Sequence, residues 1–184
     1  MRDSDAMRLL LHSNQLKRTK RTGWVQRGIV DAEDVAAHTY GVAFTALILS
    51  QAIEQDLDRE KVLIMALLHD LPEGITTDIP TTAWRFFKEG TKTDLERDAM
   101  TEIVGGTSFA GALMASWAEF QEKKTPVAYL VHDADKLDMY LQALIYERQT
   151  GNRQLQEFWE KPRRFFFDEA QSIYEELISL RNKE

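Results

Sequence analysis

The residues able to do chemistry are densest in the segment His69–Pro80, which contains one histidine, three acidic residues and two prolines. It directly follows an apolar run, Val62–Leu68. A charged group removed from water is strongly destabilising unless it is paired or bound to a metal ion. Charged side chains at the edge of a core therefore indicate a site that uses their charge. Taken by itself, the segment could also be an ordinary polar turn that ends a helix.

Two further polar residues lie on apolar faces of predicted helices. His38 precedes Val42 by one helical turn, and Asp135 lies beside the apolar stripe of a later helix. A histidine on an apolar face is, by itself, more often a core residue than a ligand. Together with His69 and Asp70, however, these residues offer two imidazoles and two carboxylates. That set suits one divalent metal ion such as Mn, Co, Fe or Mg.

A basic segment, residues 17–28, contains five basic residues and no acidic one. Its glycines, its tryptophan and its lack of helical periodicity predict an extended loop. One alternative is a solvated charged loop, which is the usual role of such runs. The other is a loop that faces an anion, where Arg21 binds phosphate and Trp24 stacks on, or shapes the site around, a flat or sugar-like group.

The composition limits the possible function classes. The net charge of −7 argues against general nucleic-acid binding, because that affinity depends largely on neutralised phosphates. The absence of cysteine excludes disulfides, thiolate metal sites and a cysteine nucleophile. No signal-peptide pattern is visible, and the apolar stretches are shorter than the roughly 20 residues of a membrane span. We therefore expect a cytoplasmic protein without a membrane partner, and the length of 184 residues predicts a single domain.

The hydrophobic periodicity predicts an all-helical fold, since no alternating strand-like segment of convincing length is present. Predicted helices cover about 4–16, 35–55, 58–72, 91–104 and 127–149, another begins near 108, and a last one begins near 161. Asp34 and Asp58 are candidate caps for the second and third of these helices. Within the long helix, we expect Asp135 to be buried and both Asp133 and Asp138 to be solvated.

The order of His38, His69-Asp70 and Asp135 on successive helices resembles that of the HD-domain metal-dependent phosphohydrolases. The similarity is greatest to the YfbR-type 5'-deoxynucleotidases and the eukaryotic HD-domain-containing protein 2-like group, and it extends from about residue 11 to residue 177. Four motifs carry it: Arg21–Arg27, Glu33–His38, His69–Glu73 and Asp78–Pro80. Thr77 departs from the family pattern, which has a glycine before the aspartate.

The resemblance implies an all-α, single-domain HD-domain helical bundle, homodimeric, that hydrolyses deoxyribonucleoside 5'-monophosphates to deoxynucleoside and phosphate. It implies one divalent metal ion and catalytic carboxylates. The implied metal ligands are His38, His69, Asp70 and Asp135; the implied catalytic residues are Glu73 and Asp78; and Arg21 and Trp24 would face the phosphate and the sugar. If the helix continues through Pro72, Glu73 lies one turn after His69 and on the same face.

We expect residues 1–184 to form one domain, with a metal-site core at about 34–142 and C-terminal helices 152–182 packed on it. Two other functions stay open: an HD phosphohydrolase acting on a triphosphate, a cyclic nucleotide or guanosine tetraphosphate, and a non-catalytic nucleotide-binding module. His132, one turn before Asp135, could extend the site to a second metal, but a surface or packing role is favoured because no partner ligand is visible. The Phe-rich segment 158–167 is either a dimer seam or core.

Overall fold

A computed structural model describes residues 3–183, with side chains from Asp5 onward. The helices in this range are α1 Asp3–Gln15, α2 Thr22–Val25, α3 Val35–Ala52, α4 Arg59–Leu68, α5 Glu73–Thr76, α6 Thr81–Trp84, α7 Thr91–Val104, α8 Ala110–Glu122, α9 Pro126–Thr150 and α10 Asp168–Asn182, with 3₁₀ turns at Leu16–Arg18 and Arg153–Phe158. Residues 3–183 contain no strand, and an isolated bridge joins Lys20 to Asp34. The all-α prediction is confirmed. Residues 1, 2 and 184 of the expected domain lie outside the described residues, and its internal boundaries stay a prediction.

Side-chain caps begin the three helices at the centre of the fold. Asp34 and Asp58 each accept a hydrogen bond from the backbone N–H three residues later, at 2.9 and 3.0 Å, at the starts of α3 and α4. Thr125 does the same for α9, where Pro126 takes the first helical position. These caps determine where each helix begins, and in α3 they place His38 in the first turn.

Helix α3 is apolar on all sides and packs between α4 and α9. Its inner face, with Val42, Ala46 and Leu49, is fully buried, whereas Tyr40 and Phe44 on the outer face are exposed. Its 18 residues are apolar enough by length and composition to cross a membrane, although a core helix has the same properties. Its contacts with α4 and α9 account for the apolar inner face.

The expectation that Asp133 is solvated is wrong. Its carboxylate is buried and accepts hydrogen bonds from the backbone N–H groups of Phe166 at 3.0 Å and Phe167 at 2.9 Å. These bonds hold residues 166 and 167 in a non-helical conformation. The last helix therefore begins at Asp168 and not near residue 161. The side chains of Phe165 and Phe167 are buried in the core. The Phe-rich segment therefore contributes mainly to the core.

The basic segment is not an extended loop. It contains a 3₁₀ turn and the one-turn helix α2. The side chains of Leu16 and Trp24 are buried and attach the segment to the rest of the protein. Two backbone hydrogen bonds join it to the start of α3. The Arg21 N–H donates to the Glu33 carbonyl, and the Val35 N–H donates to the Thr19 carbonyl. The segment is therefore held beside the start of α3, next to His38.

Candidate active site

Three helices bring together the four residues expected to bind metal. His38 lies in the first turn of α3, His69 and Asp70 follow the last residue of α4, and Asp135 lies in the middle of α9. His38 Nε2 is 3.5 Å from His69 Nε2 and 3.4 Å from Asp135 Oδ1. Asp70 Oδ2 is 3.2 Å from His69 Nε2 and 3.6 Å from His38 Nε2. Ligand atoms of His38, His69 and Asp135 all lie within 4.8 Å of one another.

Both imidazoles are oriented by hydrogen bonds at Nδ1. His69 Nδ1 donates to the Ala66 carbonyl at 2.7 Å, and His38 Nδ1 donates to Asp138 Oδ2 at 2.8 Å. A neutral ring that is protonated at Nδ1 presents an unprotonated Nε2. The two Nε2 atoms and the nearby carboxylate oxygens therefore face one another as acceptors, an arrangement that a cation stabilises. This set of oxygen and nitrogen donors fits a divalent metal ion.

The charges of the cluster favour a bound cation. Burial would lower the pKa of His38, but the carboxylates of Asp135 and Asp138 raise it to about 9. Burial would raise the pKa of Asp70, yet His69 holds that pKa well below its usual range. In the metal-free site the acids thus stay ionised, and the raised pKa keeps a second proton on His38 that a bound divalent ion would replace. A divalent ion would satisfy the same electrostatic demand.

Glu73 is a buried acid next to this cluster. Helix α4 ends at Leu68 and not near Pro72, so the expected continuous helix is wrong; a turn leads into α5, and the Glu73 N–H donates to the Asp70 carbonyl at 3.0 Å. Glu73 nevertheless lines the same pocket as Asp70. Burial, followed by the charges of Asp70 and Asp78, raises the pKa of Glu73 to about 10. At that pKa, Glu73 holds its proton at neutral pH in the metal-free site. Its Oε2 atom has no hydrogen-bond partner among the described residues.

Asp78 reaches the pocket on a strained loop. Thr77, immediately before it, has φ 62° and ψ 168°, a backbone region that is essentially confined to glycine. This is the position at which the family pattern has a glycine. Asp78 Oδ2 accepts a hydrogen bond from the Thr22 backbone N–H at 2.6 Å. That bond, made to the first residue of α2, fixes the direction of the carboxylate.

The two expected substrate-binding residues differ in accessibility. Arg21 Nη1 lies 3.3 Å from Asp70 Oδ2, and Arg21 lines the pocket. Burial would lower the pKa of Arg21, but the charges of Asp70 and Asp78 raise it above its usual value. Trp24 is 2% exposed, and its Nε1–H donates to Glu33 Oε1 at 2.9 Å. Trp24 thus forms part of the pocket wall, and its contact with a sugar stays a prediction.

Six of the eight expected site residues line one pocket of about 290 Å³, a volume suited to a small molecule: Arg21, Trp24, Asp70, Glu73, Asp78 and Asp135. His38 and His69 are buried and are not among the lining residues. Five basic residues contribute to its lining, although the whole chain is acidic: Arg21, Arg27, Lys92, Lys123 and Lys136. The pocket walls also include the aromatic rings of Trp84 and Phe158. Five acidic residues line the pocket as well, Asp70, Glu73, Asp78, Glu96 and Asp135, so the basic residues alone do not make the site attract anions.

Two residues that contact the expected ligands were missed from the sequence. Asp138, expected to be solvated, is buried and bonded to His38, so that expectation is wrong. Lys136 Nζ lies 2.9 Å from Asp135 Oδ2 and, against the effect of burial, helps to hold the pKa of Asp135 below its usual value. Helical spacing could have found Asp138, because it follows Asp135 by three residues and so shares its face. Spacing gives no comparable signal for Lys136.

His132 is not part of the cluster of potential ligands. Its Nε2–H donates to the Phe120 carbonyl at 2.8 Å, and its ring stacks on the Phe120 ring with centroids 3.9 Å apart. Burial lowers the pKa of His132 to about 4, so the ring is neutral at neutral pH. These contacts agree with the packing role favoured from the sequence.

A family model described as HD domain matches residues 13–174. The chain belongs to the HD domain family. A 5'-deoxynucleotidase HDDC2 from Dictyostelium discoideum is 36% identical over 160 residues, covering 81% of this chain and 83% of the relative. The 5'-deoxynucleotidase HDDC2 from Danio rerio is 35% identical, covering 79% and 72%. The solved structure of the PH0347 protein from Pyrococcus horikoshii OT3 superposes on this HD domain with a TM-score of 0.80 at 35% identity, covering 97% of this chain and 99% of that one. The resemblance to HD-domain proteins drawn from the motifs is confirmed.

Proposed function

We propose that this HD domain is a divalent-metal-dependent phosphohydrolase that converts deoxyribonucleoside 5'-monophosphates to deoxynucleoside and phosphate. The observation that carries the proposal is the convergence of the four potential ligands beside the protonated carboxyl group of Glu73. The two HDDC2 relatives, which are named 5'-deoxynucleotidases, support the substrate class.

Phosphate monoester hydrolysis sets two requirements for the site. The reaction is among the slowest known without a catalyst, and it needs an activated water molecule and compensation of phosphoryl charge. A divalent ion held by His38, His69, Asp70 and Asp135 would meet both needs, by lowering the pKa of water and attracting phosphoryl oxygens. The oxygen-rich, thiolate-free ligand set favours Mn, Co, Fe or Mg.

Glu73 serves as the general acid. Without a bound metal ion, burial and the neighbouring carboxylates raise the pKa of Glu73 to about 10, and its Oε2 atom is free of hydrogen bonds within the described residues. Glu73 can give its proton to the 5'-oxygen as the bond from this oxygen to phosphorus breaks. The Asp78 carboxylate, oriented by the Thr22 N–H, accepts the proton that the attacking water loses. The products are a neutral deoxynucleoside and phosphate.

The charges of the pocket favour a monophosphate over a triphosphate. Four of its five cations already pair with a carboxylate; the pairs are Arg21–Asp70, Arg27–Glu157, Lys92–Glu96 and Lys136–Asp135. A triphosphate would need several cations free to bind its additional charges. The arrangement is more consistent with one phosphate group, bound by the metal ion and by the guanidinium N–H groups of Arg21 other than the one that contacts Asp70.

A substrate panel tests the proposal. With Mn, Co or Mg, the protein should release phosphate from dAMP, dCMP or dTMP, and a chelator should abolish the release. The values of kcat/KM for dATP, 3',5'-cyclic AMP and guanosine tetraphosphate should be lower by about tenfold or more. A preference for one of those nucleotides would favour a different HD phosphohydrolase. Metal binding without turnover of any nucleotide would favour the non-catalytic module.

Three variants test the assigned roles. Asp70→Ala should lose bound metal, because it removes one of the proposed ligands. Glu73→Gln should keep metal and substrate binding but lose about 10²- to 10⁴-fold in kcat, the usual contribution of a general acid. Glu89→Gln, at an exposed acid before α7, is the matched control and should keep the wild-type rate. A Glu73→Gln protein with unchanged kcat would contradict the mechanism.

The outer face of α3 supports the homodimer that the family resemblance implies. Tyr40 and Phe44 are 70% and 53% exposed and stack with ring centroids 6.2 Å apart, and Ile48 continues the apolar stripe. Such exposed stripes mark interaction surfaces. Phe44→Glu should yield a monomer in light scattering, whereas Phe166→Glu, at an exposed ring stacked on Tyr129, should leave the dimer intact. A dimer that survives Phe44→Glu would exclude this face.

The cytoplasmic location and the lack of nucleic-acid or membrane partners stay predictions from the sequence.

A further inference from the structure

Asp138 contacts His38 from the side of the ring opposite the proposed metal site. Asp138 Oδ2 accepts a hydrogen bond from His38 Nδ1 at 2.8 Å, and both side chains are buried. The bond assigns the ring proton to Nδ1. It therefore leaves Nε2, the atom that faces His69 and Asp135, free to bind a cation.

Gly41 provides the space that the Asp138 carboxylate occupies. It follows His38 by three residues in α3, the helix that packs against α9. A Cβ atom at position 41 would lie 2.0 Å from Asp138 Oδ1 and 2.6 Å from Asp138 Cγ, well inside van der Waals contact. Both are side-chain atoms that can rotate away. An added methyl group would therefore displace the carboxylate without requiring either helix to move.

A second metal site is the main alternative for this group of residues. Ligand atoms of Glu33, His38 and Asp138 also lie within 4.8 Å of one another. The 2.8 Å between His38 Nδ1 and Asp138 Oδ2 is, however, a direct hydrogen-bond distance and leaves no room for an ion between these atoms. Glu33 already accepts a hydrogen bond from Trp24 Nε1–H. The geometry fits a positioning role better than a second ion.

We propose that Asp138 and Gly41 position the His38 imidazole for metal binding, Asp138 by fixing the tautomer and ring orientation and Gly41 by leaving room for Asp138. The inference rests on the proposed metal site. Without its carboxylate partner, the His38 ring could rotate and could carry its proton on Nε2, where it blocks coordination. Partners of this kind change metal affinity by about 10- to 100-fold when they are removed.

The dissociation constant for Mn, measured by competition with a chelating dye, tests the role of Asp138. Asp138→Ala should weaken binding by about 10- to 100-fold, and Asp138→Asn should weaken it less because the amide oxygen can still accept the hydrogen bond. Asp133→Ala is the matched control. Asp133 is a comparably buried aspartate on the same helix, but it binds backbone N–H groups of the Phe-rich segment. Its replacement should lower Tm and leave Mn affinity unchanged.

Gly41→Ala tests the steric part of the inference. It should reproduce the loss of affinity seen in Asp138→Ala, and the double variant should bind Mn no more weakly than Asp138→Ala, because Gly41 acts only through Asp138. NMR of the Zn-loaded protein gives a second readout. The His38 Nδ1–H proton should exchange slowly with water in the wild type and rapidly in Asp138→Ala.

The possible outcomes separate this inference from the proposed function. Wild-type Mn affinity in both Asp138→Ala and Gly41→Ala would overturn the positioning role and leave the proposed metal site intact. A wild-type protein that binds no divalent ion would instead refute the metal site itself. If Asp138→Ala does not fold, Gly41→Ala decides, and unchanged affinity in that variant would overturn the inference.

Discussion

Thr77 occupies a backbone conformation that a glycine would adopt without strain. With φ 62° and ψ 168°, a β-branched residue there is destabilised by about 1–3 kcal/mol. Its side chain is exposed. Its backbone N–H donates to the Glu73 carbonyl at 3.0 Å, and its carbonyl accepts from Thr76 Oγ1 at 3.1 Å. Thr77→Gly should therefore relieve strain while keeping both hydrogen bonds, and it should stabilise the protein.

The size of the gain follows from two opposing effects. Glycine increases the conformational entropy of the unfolded chain, which lowers stability by about 0.4–1 kcal/mol. Subtracting this from the relieved strain of about 1–3 kcal/mol leaves a gain of about 0–2.6 kcal/mol in the free energy of unfolding, with about 1.3 kcal/mol at the midpoints. For a chain of this length, each kcal/mol raises Tm by about 2–4 °C, so the midpoint gain should raise Tm by about 3–5 °C.

Urea unfolding and calorimetry, each with and without Mn, measure this gain. Thr76→Gly is the control, because Thr76 is the adjacent threonine at the end of α5. Glycine is a poorer helix former than threonine by roughly 0.3 kcal/mol, and the variant also loses the hydrogen bond from Thr76 Oγ1 to the Thr77 carbonyl, so it should lower stability. Turnover of dAMP by Thr77→Gly should stay near the wild-type value, since the Thr22 N–H still holds Asp78. If Thr77→Gly is no more stable than the wild type while the control loses stability, no strain is stored at Thr77.

Three further predictions concern charge. Arg21→Lys keeps a cation but loses the guanidinium fork, so KM for dAMP should rise about tenfold in steady-state assays, and an unchanged KM would remove Arg21 from substrate binding. Glu73→Gln should stabilise the metal-free protein by an amount that grows with pH in urea unfolding, because folded Glu73 keeps its proton to about pH 10 whereas the unfolded chain releases it near pH 4.5. A gain that does not grow with pH would contradict the raised pKa. His132→Gln should reduce the loss of stability on acidification from about pH 6.5 to 4, because in this interval the unfolded His132 binds a proton that the folded one does not. An acid profile equal to that of the wild type would contradict the lowered pKa.

Local signals were sufficient to predict the helices and the order of the potential ligands. The capping residues Asp34 and Asp58 and the apolar periodicity locate the starts of α3 and α4 within the sequence. Because these helices pack side by side, His38 and His69 had to come close once both were assigned to the buried faces. Glu73 reaches the pocket despite the early end of α4, and backbone hydrogen bonds from Leu71 to the Leu68 carbonyl and from Glu73 to the Asp70 carbonyl keep the chain in consecutive turns there.

The predictions that failed concern residues whose burial depends on partners distant in the sequence. Asp133 and Asp138 were expected in solvent because aspartate in a helix is usually exposed. Asp138 is buried because His38 lies opposite, 100 residues away in sequence, and Asp133 because the backbone of Phe166, 33 residues away, needs an acceptor. Residue type and local period carry no information about such distant partners. The same distant bond also explains why the last helix begins later than its composition suggests.

The distribution of cations among the buried acids explains why Glu73 is the one that keeps a proton. Asp70 lies 3.2 Å from His69 Nε2 and 3.3 Å from Arg21 Nη1, and Asp135 lies 2.9 Å from Lys136 Nζ, so both stay ionised despite burial. Glu73 has no ion pair within 4 Å in the described part of the chain, and its nearest charges include the Asp70 carboxylate that raises its pKa. Its protonated state therefore follows from the way the pocket pairs its neighbours. In the metal-free protein, a cation placed next to Glu73 should lower its pKa, because it would offset the charges of Asp70 and Asp78 that now raise it.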